Sequence, residues 1–199
     1  MTFELLSAMR RFLAPDQYHD HCMLWSALTL GFFGFMRCDE LMARTRGEAP
    51  PLAREDIAID ETRITLRLRH TKTRPTQPVH LTIARSNSKI CAVEALKAYL
   101  ARRGSSPGPL FRFEAGEAMI RDQLGSNIRQ LCSCLGLDVT EYSGHSLRIG
   151  AAATAAARGV PDWLLKVLGR WESDCYQTYI HTQQSTVDSI PSMLASSPQ

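Results

Sequence analysis

The chain has 199 residues, of which 44% are hydrophobic, and its 23 Lys+Arg against 20 Asp+Glu give a formal charge of +3. That composition supplies a well-buried core and excludes a wholly disordered chain, while so mild a charge cannot by itself argue for nucleic-acid binding. The six cysteines, Cys22, Cys38, Cys91, Cys132, Cys134 and Cys175, show no CxxC pair and no zinc-ligand spacing, so they read as free thiols of a reducing compartment.

The first residues, MTFELLSAMRRFLAP, interleave charges with apolar side chains and offer no small-residue cleavage site, which argues against a secretory signal. The apolar run from Met23 to Met36 is too short to span a bilayer. The expectation is a soluble intracellular protein with no membrane partner. In chain order, Phe3, Leu5, Leu6, Met9, Phe12 and Leu13 recur at helical spacing until Pro15. A second helix from about Asp20, with Cys22, Met23, Leu24, Trp25, Ala27, Leu28 and Leu30, is apolar nearly all round and is predicted to be central. His19-Asp20-His21 reads as its polar start rather than as a metal site. The GFFGF run from Gly31 to Phe35 breaks the pattern and RCDELMAR restarts it, which predicts a turn delivering Arg37 at or near a helix start.

Alternation over Arg63–Arg69 and Val79–Ile83, with Ile57–Ile59 before them, predicts a small antiparallel sheet. Parity puts Arg63, Arg67 and Arg69 on one outward, basic face. A polar segment from Lys72 to Pro78 joins two of the strands. Helices are expected over Ala92–Arg103, Ala118–Leu135, His145–Arg158, Pro161–Leu168 and Asp174–His181, with Pro161 in a first turn where its missing N–H costs little. Cys132 and Cys134 read as a buried helix pair, and the terminal Ser-Ser-Pro-Gln as a frayed end. The fold class is α+β, mainly α-helical with a small antiparallel β-sheet.

Three segments carry chemistry together: Gly144-His145-Ser146-Leu147-Arg148, Leu168-Gly169-Arg170-Trp171, and Tyr179-Ile180-His181. They resemble the signature of the tyrosine recombinase and phage integrase family, in which an HxxR pair opens a helix, a Leu-Gly-His/Trp element follows, and a tyrosine closes the set. Met36-Arg37-Cys38-Asp39-Glu40-Leu41 resembles the family's first arginine element, and His70-Thr71-Lys72-Thr73 its lysine on a β-hairpin turn. The resemblance runs from about Leu24 to Thr182, with all the residue types in the family's order. Its wording is most like eukaryotic transposon recombinases of the Crypton and DIRS type, which implies a nuclear protein.

The resemblance implies a tyrosine recombinase catalytic domain over residues 1–183 and a C-terminal tail over 184–199 that could be exchanged between copies. It implies a metal-independent enzyme without cofactor that cleaves and rejoins double-stranded DNA through a 3′-phosphotyrosyl intermediate, self-assembling on DNA as a dimer or tetramer. Arg37 and Arg148 would bind the extra negative charge of the pentavalent phosphorus centre. His145 would serve as base or proton relay for the Tyr179 hydroxyl, and Lys72 as the acid that protonates the departing 5′-oxygen. Trp171 would take the His/Trp position, and Glu40 would orient His145 or an arginine.

Arg67, Arg69, Arg74 and Arg170 are candidate DNA contacts. Two alternatives stay open: Arg170 instead of Trp171 at the His/Trp position, and Tyr176 instead of Tyr179 as nucleophile, since three residues separate them on one helical face. Taken singly, each residue has a plain structural reading, as a helix-start histidine, a salt-bridged arginine or a packing aromatic. The rival functions are a domesticated module that binds DNA or protein without cutting, and a type IB topoisomerase.

Overall fold

The computed structural model describes residues 1–69 and 77–172. The predicted helix over residues 174–181, the tail over 184–199 with the domain boundary before it, and most of the segment between the last two strands lie outside these residues. Among the described residues the order is α1 (Phe3–Met9), α2 (His19–Phe33), α3 (Cys38–Leu41), β1 (Ile57–Ile59), β2 (Arg63–Leu68), β3 (Val79–Ala84), α4 (Ala92–Arg103), α5 (Arg121–Cys134), α6 (Ser146–Ala157) and α7 (Asp162–Gly169).

Helix α2 is the axis of the domain. Every residue from Cys22 to Phe32 is buried, and α4 and α6 pack against it. An apolar circumference leaves no face for water, so neighbours must cover all sides; burial stabilises each such Leu or Met by about 1.5–3 kcal/mol. Of the two buried hydroxyls of α2, that of Thr29 finds a partner inside the helix, where Oγ1 donates to the Trp25 carbonyl at 2.9 Å, and that of Ser26 has none among the described residues. No helix among the described residues is long and apolar enough to cross a membrane.

The sheet has the order β1-β2-β3, antiparallel throughout, with Ile57 opposite Leu66 and Ile64 opposite Ile83. Alternation sends Ile64, Leu66 and Leu68 into the core and leaves Arg63 and Arg67 exposed, opposite Ala84 and His80. The expected basic outer face is therefore present at Arg63 and Arg67.

At the start of α2 the side chains close loops. Asp20 accepts the Glu114 N–H at 2.8 Å, His21 Nδ1 accepts the Ala14 N–H at 3.1 Å, and His19 Nε2 lies 3.0 Å from the Arg112 carbonyl. Arg103, in the last turn of α4, donates to the carbonyls of Gly104, Ser106, Gly108, Pro109 and Leu110 and so fastens the whole following loop.

Three expectations are corrected. The helix predicted over Ala118–Leu135 begins only at Arg121, because Ala118 bridges Arg112 and the Met119 N–H is taken by the Phe111 carbonyl. The Gln123 side chain then accepts the Ile120 N–H at 3.0 Å and opens the helix there. Cys132 is buried but Cys134 is exposed, so the two do not form a buried pair. The first helix gives way at Arg10 to a single 3-10 turn through Phe12.

Candidate active site

The site begins where α2 ends. Gly34 closes the helix by donating to the Leu30 carbonyl, and the chain then reverses through Phe35, whose φ of 50° is left-handed. That conformation costs an L-residue about 1–3 kcal/mol and persists only where the surroundings hold it. Here they do: the Phe35 carbonyl accepts from Arg148 Nη1 at 3.0 Å and from Arg170 Nη2 at 3.2 Å. The turn thus collects guanidinium groups from two distant parts of the chain.

Arg37 follows at the N-cap of α3, as the sequence predicts. Glu40, on the same short helix, accepts the Arg37 N–H through Oε2 at 2.9 Å and Arg37 Nη1 through Oε1 at 3.0 Å. The same Oε2 accepts from Arg170 Nη2 at 2.7 Å. The Glu40 side chain is 3% exposed. These are charge-assisted bonds in a largely dry setting, where such contacts are strong and a missing partner is expensive. Two cations on one carboxylate leave the trio net positive, which suits it to an anionic ligand.

His145 precedes α6 and is exposed, its N–H donated to Ser143 Oγ at 3.3 Å. Its neighbour must be glycine: a Cβ on Gly144 would fall 2.7 Å from Cys38 Sγ. That close approach sets the His145 turn directly against the residue that follows Arg37. Burial pushes the Cys38 thiol up to about 12, the nearby Asp39 carboxylate adding to the effect, so this sulfur stays protonated. A recess of about 330 Å³ opens here, lined among others by His145, Arg121 and Arg129.

One turn into α6, Arg148 is 4% exposed, and its guanidinium stands 4.3 Å from the centroid of the Trp171 ring. A cation–π contact of this kind is worth about 0.5–2 kcal/mol. The end of α7 makes it possible. Arg170 adopts a left-handed cap with φ 57°, and its N–H and that of Trp171 bond to the carbonyls of Val167 and Lys166. A Cβ on Gly169 would lie 1.7 Å from the Trp171 ring, so glycine alone leaves room for the indole.

The structure therefore brings together Arg37, Glu40, Arg148, Arg170 and Trp171, with His145 on the adjoining turn. Glu40 accepts from both Arg37 and Arg170. Lys72, Arg74, Tyr176 and Tyr179 lie outside the described residues. Arg67 is exposed on the sheet, as a DNA contact would have to be. Arg69 is committed elsewhere: Nε lies 2.8 Å from the buried Asp56 carboxylate and Nη2 3.0 Å from Glu55. Arg170 is committed as well, its side chain 11% exposed. Sequence reasoning missed Arg121 and Arg129 beside His145, because an exposed helix arginine looks the same whether or not a site lies next to it.

No family model matches the chain, and no curated protein matches its sequence. Solved structures do resemble it in three dimensions. The XerH site-specific recombinase bound to palindromic difH substrate superposes with a TM-score of 0.70 at 14% identity, covering 98% of this chain and 52% of that one. The fold is that of a tyrosine recombinase catalytic domain. The XerA recombinase gives a TM-score of 0.69 at 15% identity over 100% of this chain and 64% of its own. The lambda integrase (75–356) dimer bound to a COC′ core site gives 0.60 at 16% identity over 91% and 58%. The chain thus spans between about half and two thirds of the length of these structures.

Proposed function

We propose that this chain is the catalytic domain of a site-specific recombinase that cleaves and rejoins double-stranded DNA through a 3′-phosphotyrosyl intermediate, as its sequence resemblance implies. One observation carries the reading: Arg37, held by Glu40 just after the strained Phe35 turn, and Arg148, 111 residues later in the chain and held by the Phe35 carbonyl, are both anchored beyond the end of α2, beside His145 and with Trp171 against Arg148. The fold shared with XerH and lambda integrase supports it.

In this reaction the Tyr179 hydroxyl oxygen attacks the scissile phosphorus as the bond to the 5′-oxygen breaks. The two guanidinium groups of Arg37 and Arg148 stabilise the charge that gathers on the non-bridging oxygens. His145 takes the tyrosine proton and Lys72 supplies one to the departing 5′-alkoxide, whose basicity would otherwise favour return. Trp171 buttresses Arg148. Rejoining is the reverse, with a 5′-hydroxyl attacking the phosphotyrosyl ester, which conserves the energy of the broken bond and requires no cofactor. Duplex DNA lies along the exposed side of the sheet, where Arg67 and Arg63 meet its backbone, with Arg74 on the adjoining segment. We extend the reading to a transposon enzyme of the Crypton and DIRS type, acting in a nucleus and assembling with further copies of itself on DNA through the segment after residue 183.

The test uses nicked suicide duplexes drawn from the DNA flanking the gene, which trap the cleaved strand on the protein. A covalent adduct on a denaturing gel, lost in Tyr179→Phe and kept in Tyr176→Phe, is the expected result. The reverse pattern would move the nucleophile to Tyr176, and binding without any adduct would favour a non-cutting module.

A further inference from the structure

We infer that Arg170 is a positioning residue that sets Arg37 and Arg148 in place and does not itself contact phosphate; the inference rests on the reading above for what the two arginines do. The four Nη hydrogens of its guanidinium are all spent. Nη1 donates to the carbonyls of Gly34 at 3.3 Å and Leu168 at 3.0 Å, and Nη2 to the carbonyl of Phe35 at 3.2 Å and to Glu40 Oε2 at 2.7 Å. Each Nη carries two hydrogens, so four N–H groups meet four acceptors. The remaining Nε is buried away from solvent with no hydrogen-bond partner among the described residues.

Glu40 is the group that grips Arg37 by its backbone and its side chain, and Arg170 loads one of its two oxygens. The Phe35 carbonyl holds Arg148, and Arg170 occupies its second lone pair while bonding the preceding carbonyl of Gly34. One side chain therefore ties the end of α7 to the two groups that fix Arg37 and Arg148. A lysine cannot reproduce this, because a single ammonium on a flexible stem lacks the planar fork that spans a carboxylate and three carbonyls. The cost accepted is local: Arg170 sits at φ 57°, where glycine or asparagine would be easier.

That strain supplies a clean variant. Arg170→Gly removes the guanidinium while relieving the backbone, so the fold is favoured at that position even as the lock is lost, and Arg170→Lys keeps the charge as a second probe. In the complete chain, the Nε–H resonances of Arg37 and Arg148, assigned by nitrogen-15 NMR, are expected to shift and broaden in both variants and in Glu40→Gln. Unmoved signals in folded protein would overturn the inference, and this readout needs no catalysis. On the suicide duplex, single-turnover cleavage by Arg170→Gly should fall about a hundredfold, the order expected for misplaced catalytic groups, while the Kd for DNA changes less than about twofold. The loss should shrink on a duplex with a neutral methylphosphonate at the scissile position, since there is less charge for the two arginines to meet.

Weakened DNA binding in Arg170→Gly, with a salt dependence shallower by about one counterion, would instead make Arg170 a phosphate ligand and sink the proposal. No adduct from the unsubstituted chain would count against the recombinase reading alone, because the resonances still decide whether Arg170 holds the two arginines.

Discussion

Helix α2 has buried arginine chemistry at both ends, and the two ends are built on opposite principles. Near its start, the Arg103 guanidinium donates to five main-chain carbonyls, and their common effect is to staple the loop after α4. Beyond its end, acceptors are shared: Glu40 serves Arg37 and Arg170, and the Phe35 carbonyl serves Arg148 and Arg170. Acceptors that serve a single cation, shared at Gly108 and Leu110 only with the neutral Arg54 N–H and Tyr99 O–H, make that cation structural. Shared acceptors fix where cations stand while leaving their charge undercompensated, which is what a site for a phosphodiester requires.

The largest effect is expected for Glu40→Ala, which strands buried cations and should cost about 3–5 kcal/mol of stability in denaturant unfolding. A loss below about 1 kcal/mol would mean that the shared carboxylate is not what holds the cluster. Next, Arg148→Ala should lower single-turnover cleavage by about 10²–10³-fold, the usual cost of removing one transition-state donor. At the other end, Arg103→Lys strands several carbonyls and should destabilise the fold by about 1–3 kcal/mol, while cleavage per folded molecule stays unchanged. A cleavage defect there at full folding would erase the distinction between the two ends.

Smaller effects sharpen the border of the site. Asp39 is partly buried, which raises its pKa, but hydrogen bonds from Arg121 and Arg44 outweigh that and hold it below the ordinary carboxylate value. Because the folded-state value is depressed, its contribution is present at neutral pH and is lost as pH falls below about 3.9 and through the lower native value. Acid titration of Asp39→Asn beside the parent should therefore show a stability gap that closes on acidification; a gap that widens would refute the assignment. Least of all, iodoacetamide at pH 8 should modify exposed Cys134 and spare Cys38, whose thiol stays protonated.

Much of this was legible in the sequence for identifiable reasons. The all-round apolar run of α2 required burial, strand parity required Arg63 and Arg67 to face outward, and the GFFGF break placed Arg37 at a helix start. What escaped depends on contacts between segments far apart in the chain. Parity put Arg69 on the outward face of the sheet, yet the Asp56 carboxylate, thirteen residues earlier, binds its guanidinium. Spacing could not decide between Arg170 and Trp171, because a left-handed turn at Arg170 sends one side chain to Glu40 and sets the other against Arg148. Nor does any pattern reveal that Trp163 and Val167 of α7 stay 67% and 64% exposed, since periodicity shows which residues share a face but not what covers it.

The central claim is that a tyrosine near the end of the chain becomes joined to DNA at this arginine cluster. Proteolysis of the trapped adduct, followed by fragmentation mass spectrometry of the nucleotide-bearing peptide, tests it most directly. The account predicts a phosphodiester on Tyr179. A modification on Tyr176 would contradict the assignment of the nucleophile, and a modification on any non-tyrosine side chain would contradict the mechanism itself.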